Sequence, residues 1–431
     1  MISVSSWSNS KTTKSICKPK NILSRNDGRD RPVLYVGNKL SYGDSCLNDK
    51  GYLLDNRFND CILDFNPQKK VIKVQTGITF SQLLKFLVPK GYFVPVTPGT
   101  KEVTLGGAVA NDVHGKNHHA DASFGNWIIS FQLQRSGRKT ICSLDKNSDL
   151  FLATIGGLGL TGYIEWVEFS VIPIKSSSID TERIKFSSIN EFLDIVNVSE
   201  NYKYSIAWLQ GKSFFSKANA FKGVFLRGNH SLDGKLVKHK LEKKWNALYL
   251  KRVLTLNSYS IRLFNFLYYY IQFFKRYKST QYYNDFFYPL DKIGNWNQLS
   301  GKMGVLQFQC VIPFESFATV APKIFLEIHQ SGHLIYLATI KTLGHHPSFG
   351  LLSFTSPGFT LAIDVLNKGE VSKRLFLDLF KIVEICNGRV YPAKDQFMTK
   401  GFFESFYPHN KEFKKFVVPG ICSDWWRRVR R

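Results

Sequence analysis

Over residues 33–175, short strand-like and helix-like runs of apolar and polar positions alternate, with many glycines between them. Val33–Val36 is an apolar run leading into Gly37 and predicts a strand, as does Val71–Gln75. Phe80, Leu83, Leu84 and Leu87 recur at helical spacing. Ile128–Gln134 and Thr140–Leu144 flank Ser136-Gly137 and predict a hairpin. Asp149–Ile155 reads as a helix, and Tyr163–Ile174 as a strand that finishes at Pro173.

After Ile174 the glycines thin out. Ser188-Ile189-Asn190-Glu191 fits a capping box that opens a helix through Val198. Val305–Ile312 alternates cleanly, with Leu306, Phe308, Cys310 and Ile312 on one face and Gln307 and Gln309 on the other. Leu334–Lys341 and Gly358–Val365 are further strands, and Phe376–Ile385 is a helix ended by Asn387-Gly388. Between them lies an unusual stretch, 235–278. Its first part, 235–252, holds seven Lys or Arg, and Ile261–Phe274 is dominated by Leu, Phe and Tyr. Arg262, Asn265, Tyr269, Gln272 and Arg276 form a narrow polar stripe on an otherwise apolar helix. Two readings stay open for it: a buried core helix, or an interfacial helix resting on a membrane beside a basic flank.

Charge sharpens the choice of partners. Lys and Arg number 58 against 33 Asp and Glu, a net charge of +25, which favours anionic partners such as nucleic acid, an anionic membrane face or phosphorylated substrates. An aromatic content of 15% supplies a large core and excludes a disordered chain. The seven cysteines are scattered with no CxxC, which reads as reduced thiols in a cytoplasmic protein rather than a disulfide frame or zinc site. Neither a secretory signal nor a run of ~18 apolar residues is visible.

Gly157-Leu158-Gly159-Leu160-Thr161-Gly162 is a literal GxGxxG, yet a helix precedes it and a strand follows. A dinucleotide fingerprint needs the reverse order, so it is set aside. His114 and His118 are four apart, but Gly115 and Asn117 disfavour a helix there and no further ligand completes a metal site. A loop offering backbone N–H groups to an anion suits that segment better, and no metal is expected. Glycine turns at 37–45, 98–100, 104–107 and 156–162 point to one extended phosphate-bearing ligand passing several backbones, with turns that hold no ligand as the alternative.

The block PGTKEVTLGGAVANDVHGKNHHADASFGN (98–126), followed by LFLATIGGLGLTG (150–162), resembles the PCMH-type FAD domain of vanillyl-alcohol oxidase-type flavoproteins. Together with 286–313 and GRVYPAKD (388–395), it is most similar within that superfamily to the decaprenylphosphoryl-β-D-ribose 2-oxidase family. The resemblance implies an α+β fold: an FAD-binding domain over 1–175, an inserted substrate domain on an antiparallel sheet over 176–387, and a segment 388–431 returning to the FAD domain and active site. It implies that Tyr35, Val36, Gly37, Asn38, Lys39, Leu40, Ser41, Tyr42, Gly43, Asp44 and Ser45 wrap the pyrophosphate and part of the flavin. Gly99, Thr104, Leu105, Gly106 and Gly107 would also contact the cofactor, as would Asn111, Asp112, Val113, His114, Ile164 and Tyr391. Some relatives link flavin through a His in the first glycine loop; Tyr42 stands there, so the FAD is expected to be noncovalent.

By the same resemblance Lys394, His114 and Tyr391 are the catalytic candidates. Lys394 would stabilise reduced flavin as a cation or deprotonate a sugar hydroxyl as a base. Lys116, Trp208, Gln307, Gln309, Lys341 and Thr360 would join Lys394 in holding substrate. A pocket cysteine of some members is replaced by Ala362, an aromatic wall position is Phe287, and the N-terminal unit before Val33 is short. The expected activity is oxidation of a secondary hydroxyl on a polyprenyl-phosphate sugar, the first half of an epimerisation in cell-envelope polysaccharide synthesis. A separate short-chain reductase would complete it, at an anionic membrane surface and without nucleic acid. Two alternatives stay open: a soluble sugar or aldonolactone oxidase using oxygen, and a non-enzymatic basic membrane-binding protein.

Overall fold

A computed structural model describes residues 1–19, 31–210, 221–237, 245–246, 277–294 and 303–431. Nearly all of the 235–278 stretch, the expected helix over 261–274 included, lies outside the described residues.

The chain begins with an antiparallel hairpin, Ile2–Ser5 on Thr12–Pro19, which continues into parallel pairing with Tyr52–Asp55 and then Val33–Val36. This small sheet buries Val4, Leu34, Val36 and Leu53. A second, antiparallel sheet of five strands follows in the order 62–66, 71–75, 163–170, 128–135, 138–142. Ser136 and Gly137, both with positive φ, make the tight turn between its last two strands. Helix Phe80–Leu87 is opened by a full capping box from Thr79 and Gln82, and it buries Phe80, Leu83, Leu84 and Leu87 beneath this sheet. The strand expected to run through Ile174 stops at Ser170; Ile172–Pro173 then pairs separately with Tyr92–Phe93. A helix does precede the 156–162 turn (Ser148–Thr154) and a strand does follow it (Tyr163–Ser170), the reverse of a dinucleotide-binding unit.

The third sheet has eight strands, all antiparallel, in the order 278–282, 178–186, 223–230, 204–209, 335–343, 358–366, 305–312, 389–390. The α+β class with an antiparallel sheet is therefore the one the chain adopts. Helices Phe314–Gln330 and Glu370–Ile385 cover one face, where Leu306, Phe308, Cys310 and Ile312 meet Phe317, Ile324, Phe376 and Phe380. The second helix starts six residues before the expected Phe376, since Leu375 and Ser372 are already buried. In helix Ile189–Asn197, Ser188 caps the Glu191 amide as expected, but the Glu191 carboxylate accepts from Ser187 rather than closing the box on Ser188. The C-terminal helix Asp424–Val429 buries Trp425 and Trp426 and sends Arg428 back to the N-terminal loops.

Candidate active site

The sheet face opposite the two helices floors a cavity of about 1060 Å³. Its other walls come from the 34–46 loop, the 97–116 segment, the 158–164 turn and Phe286–Asp291.

The loop after strand Val33–Val36 depends on a glycine at its first position. A Cβ on Gly37 would lie 2.1 Å from Thr104 Oγ1, so only glycine lets this loop lie against the 104–107 turn. Trp7 N donates to Ser41 O at 3.1 Å, Ser8 Oγ donates to Tyr42 O at 2.7 Å, and Tyr42 N donates to Ala393 O at 3.1 Å. The N-terminal hairpin, the first loop and the 391–395 turn are thus stitched together. That turn is fixed by Tyr391 N donating to Gln309 O at 2.9 Å and Lys394 N donating to Tyr391 O at 3.1 Å. It presents Lys394 Nζ 3.9 Å over the Tyr42 ring.

His114 sits between Phe354 and Tyr391, with ring centroids 5.5 and 5.6 Å away. Gln309 Nε2 donates to His114 Nε2 at 3.1 Å and lies 3.2 Å from Thr360 Oγ1, which leaves the imidazole hydrogen on Nδ1. Burial, then the charges of Lys341 and Lys394, hold His114 well below the usual imidazole range, so the ring is neutral. Tyr391 stacks on Phe354 at 4.6 Å and donates its phenol to Asn111 O at 3.0 Å. His118 belongs to a different element, accepting from Gly344 N on Nδ1.

Four lysines line the cavity: Lys39 in the first loop, and Lys116, Lys341 and Lys394 deeper in. Burial lowers Lys116 to about 7 and Lys341 to about 8, and the Lys341 charge adds to the first shift. Lys116 Nζ donates to the Phe286 and Phe287 carbonyls and lies 4.6 Å from the Phe286 ring centroid. Lys341 has no hydrogen-bond acceptor and no carboxylate partner among the described residues. Lys394 is pulled down by burial, and the nearby Asp364 carboxylate opposes that shift. Burial in turn pushes Asp364 up. Asp364 is only 1% exposed, accepts from Gln307 Nε2 at 2.6 Å through one oxygen, and has no partner on the other among the described residues.

Most of the residues singled out from the sequence converge here. From the first loop, Tyr35 through Tyr42 and Ser45 line the cavity; so do Gly99, Thr104, Gly106, Gly107, Asn111, Val113, His114, Ile164 and Tyr391. Lys116, Trp208, Gln307, Gln309, Lys341, Thr360 and Lys394 line it too, with Ala362 and Phe287. Gly43, Asp44, Leu105 and Asp112 stand behind the wall. Gly43 packs on the Asp395 backbone, and Asp44 is ion-paired to Lys11 at 2.6 Å and Arg428 at 2.7 Å. Leu105 is core, and Asp112 accepts from Ser123, Ser353 and Gly125 N. Trp7 and Asp364 were missed. Asp364 had a signal: Thr360, Ala362 and Asp364 alternate with Leu361, Ile363 and Val365, the pattern that singled out Gln307 and Gln309. Trp7 had none, because the contacts that bring it here are with residues distant in the chain.

Residues 14–137 match the family model of an FAD binding domain. The chain is 32% identical over 422 residues to decaprenylphosphoryl-β-D-ribose oxidase of Mycolicibacterium smegmatis, covering 93% of this chain and 89% of that protein. Shorter similarities include D-arabinono-1,4-lactone oxidase of Candida glabrata, 25% identical over 40% of this chain and 34% of that protein. Human Δ(24)-sterol reductase is 27% identical over 26% of this chain and 22% of its own length.

Proposed function

The chain belongs to the FAD-dependent oxidoreductase family that includes decaprenylphosphoryl-β-D-ribose oxidase, and from that membership we propose that it oxidises a secondary hydroxyl of a sugar carried on a polyprenyl phosphate. The observation that carries this reading is one cavity that joins a polar end, built by Lys394, His114 and Gln309, to Lys116, Lys341 and a stretch of apolar floor around Trp208, Val224 and Leu337.

The residues present fit FAD. Asn111 Oδ1, Ser45 Oγ and His114 Nδ1 are buried at the cavity wall without protein partners among the described residues, and the cofactor's polar groups can meet them. Gly99 and Gly159 expose backbone to the cavity, with nothing within 4 Å of an added Cβ. Bound FAD supplies the acceptor for the hydride leaving the carbinol carbon. Lys394, whose burial favours the neutral amine, accepts the hydroxyl proton. Gln309 and Gln307, on the floor strand, orient the sugar, and neutral His114 donates from Nδ1. Thr360 supports the Gln309 amide, Trp208 lines the same cavity, and the product is the keto sugar still attached to its lipid.

In this reading 1–175 and 388–431 form the FAD-binding part, 176–387 forms the substrate part, and Tyr42 leaves the cofactor noncovalent. A separate reductase returns hydride to the ketone and inverts the carbon. The basic and apolar 235–278 stretch holds the enzyme peripherally on an anionic membrane from the cytoplasmic side. Among the described residues, no helix is long and apolar enough to cross a membrane. The test is anaerobic mixing of the yellow protein with polyprenyl-phosphoribose or with free ribose. Bleaching by the lipid-linked sugar alone supports the reading. Equal bleaching by free sugars, or none by either, overturns it.

A further inference from the structure

Lys394 Nζ, the proton acceptor of the reaction proposed above, has no hydrogen-bond acceptor and no carboxylate within 4.0 Å among the described residues. What it meets is the face of the Tyr42 ring, with Nζ 3.9 Å from the centroid. A cation over an aromatic face within ~6 Å of its centre is attracted by the negative face of the ring quadrupole. The attraction is largest where water is shut out, and burial is the foremost influence on Lys394. Of the charged groups that act on Lys394, Asp364 favours the ammonium from beyond ion-pair distance and Lys341 opposes it. His114 also faces it, from the 97–116 segment. Tyr336 stands near Asp364 and Tyr42, and Asp395, the next residue of the turn, is paired with Arg428 at 3.2 Å.

The ring is held for this contact and not for the core. Tyr42 is 9% exposed, yet it belongs to none of the apolar clusters among the described residues. It lines the cavity beside Trp7 and Lys394. Its backbone is fixed on both sides, since its N–H donates to Ala393 O at 3.1 Å and its carbonyl accepts from Ser8 Oγ at 2.7 Å. Ala393 precedes Lys394, so ring and ammonium are carried by two segments pinned to each other. Gly43 packs so closely on the turn that a Cβ there would run into the Asp395 carbonyl, which stops the loop from sliding along it. The Trp7 indole donates to the Tyr42 phenol oxygen and fixes the far end of the ring. Burial, then the Asp364 carboxylate, hold that phenol well above its usual range, so it stays neutral.

We propose that Tyr42 is a positioning residue for the reaction: its ring face seats the Lys394 ammonium formed when the sugar hydroxyl gives up its proton. The O–H bond of the carbinol breaks as an N–H bond forms at Nζ, and the hydride leaves the carbinol carbon separately for the flavin already named. The ring makes no bond in this step. It stabilises the protonated side of the transfer, so Nζ is a stronger base than burial alone would leave it. The inference rests on Lys394 as the proton acceptor, but the seat itself belongs to the FAD-loaded protein before any substrate binds.

Carbon-13 spectra of the FAD-loaded protein labelled at lysine Cε test it without substrate, with the Lys394 signal identified as the one missing from Lys394→Ala. Tyr42→Leu removes the ring and should lower the Lys394 titration midpoint by about one pH unit or more, because the ring stabilises only the ammonium. Tyr42→Phe keeps the ring face and should leave the midpoint within about 0.3 units of the wild type. Tyr42→Met is a second ringless variant, so a folding failure of one leaves the other. In stopped-flow flavin reduction by lipid-linked ribose, the rising limb should move to lower pH by the same amount in the ringless variants. The plateau above it should fall by no more than about tenfold for each unit of lost basicity. A purely structural role would lower FAD content or the whole profile without moving the midpoint. An unmoved or raised midpoint in the ringless variants, or a Tyr42→Phe midpoint displaced as far as theirs, overturns the seat. A midpoint that moves as expected without flavin bleaching by the lipid-linked ribose would keep the seat and overturn the proposed reaction; bleaching with an unmoved midpoint would do the reverse.

Discussion

Replacing Asp364 by Asn isolates the contribution of one buried charge to Lys394, the proposed base. The substitution keeps the acceptor oxygen that receives Gln307 Nε2 at 2.6 Å, and so keeps the floor strands in register. It removes the carboxylate charge that holds the Lys394 ammonium up against burial and against Lys341. The two groups form no ion pair within 4.0 Å. For unit charges about 5–8 Å apart at an effective dielectric of about 20, the interaction is about 2–3 kcal/mol, or about 1.5–2.5 pH units. The sign is fixed by the proposed role. Lys394 must be neutral to accept a proton, so flavin reduction rises with pH through the Lys394 pKa. Burial raises Asp364 to about 7, so it is only partly ionised across the limb; without it the Lys394 pKa falls by less than the full interaction, and the rising limb moves to lower pH by about 1–2 units. Stopped-flow flavin reduction under saturating lipid-linked sugar, measured across pH in both proteins, reads this directly. A limb that stays in place, or moves to higher pH, would refute the reasoning that Asp364 tunes Lys394.

Three other predictions rest on separate parts of the molecule. Gly37→Ala puts a methyl group 2.1 Å from Thr104 Oγ1 and should lower the FAD retained through purification, read as the ratio of visible to ultraviolet absorbance. Arg428→Gln leaves Asp44 and Asp395, both fully buried side chains, without their shared cation and should destabilise the fold by about 3–5 kcal/mol in thermal or denaturant melts. Asp44 is held below its usual range, so its stabilisation is present above the unfolded carboxylate pKa and is lost as pH falls through the folded one; the gap between wild type and variant should narrow in acid. Changing Lys243, Lys244, Lys251 and Arg252 to Gln should weaken binding to anionic vesicles and flatten its salt dependence, at ~1 kcal/mol per residue. Changing Leu263, Phe266 and Phe274 to Ser should remove the salt-resistant part; unfolding instead would mark that stretch as core.

Elements set by local pattern were legible in the sequence. The helix Phe80–Leu87 and the strand Val305–Ile312 appear as expected, since each carries its full period and its own boundary signal. The Ser136-Gly137 hairpin is equally local. Helix Phe314–Gln330 was not anticipated: Pro322 sits inside it, and only packing of Phe317, Ala321, Ile324 and Ile328 on the sheet carries it through. The glycine turns announced an extended ligand, but not which members of each turn would face it. Gly43 and Asp44 belong to the same loop as Ser41 and Tyr42, yet their roles are set by Asp395 and Arg428, hundreds of residues away. Trp7 reaches the cavity for the same kind of reason, through the Ser41 and Tyr42 backbone. The rows that side chains form across the floor were hidden as well. Alternation shows which residues of one strand share a face, but the rows across strands appear only once five registers are known.

In the proposed reaction Lys394 takes the proton while a lipid-linked secondary alcohol is oxidised in this cavity. Single-turnover flavin reduction by polyprenyl-phosphoribose in the wild type and in Lys394→Ala, with the FAD content of both matched, tests it most directly. The oxidised variant should keep the wild-type visible spectrum and be reduced about 10²–10⁴-fold more slowly. A variant that keeps FAD and is reduced at close to the wild-type rate would contradict it.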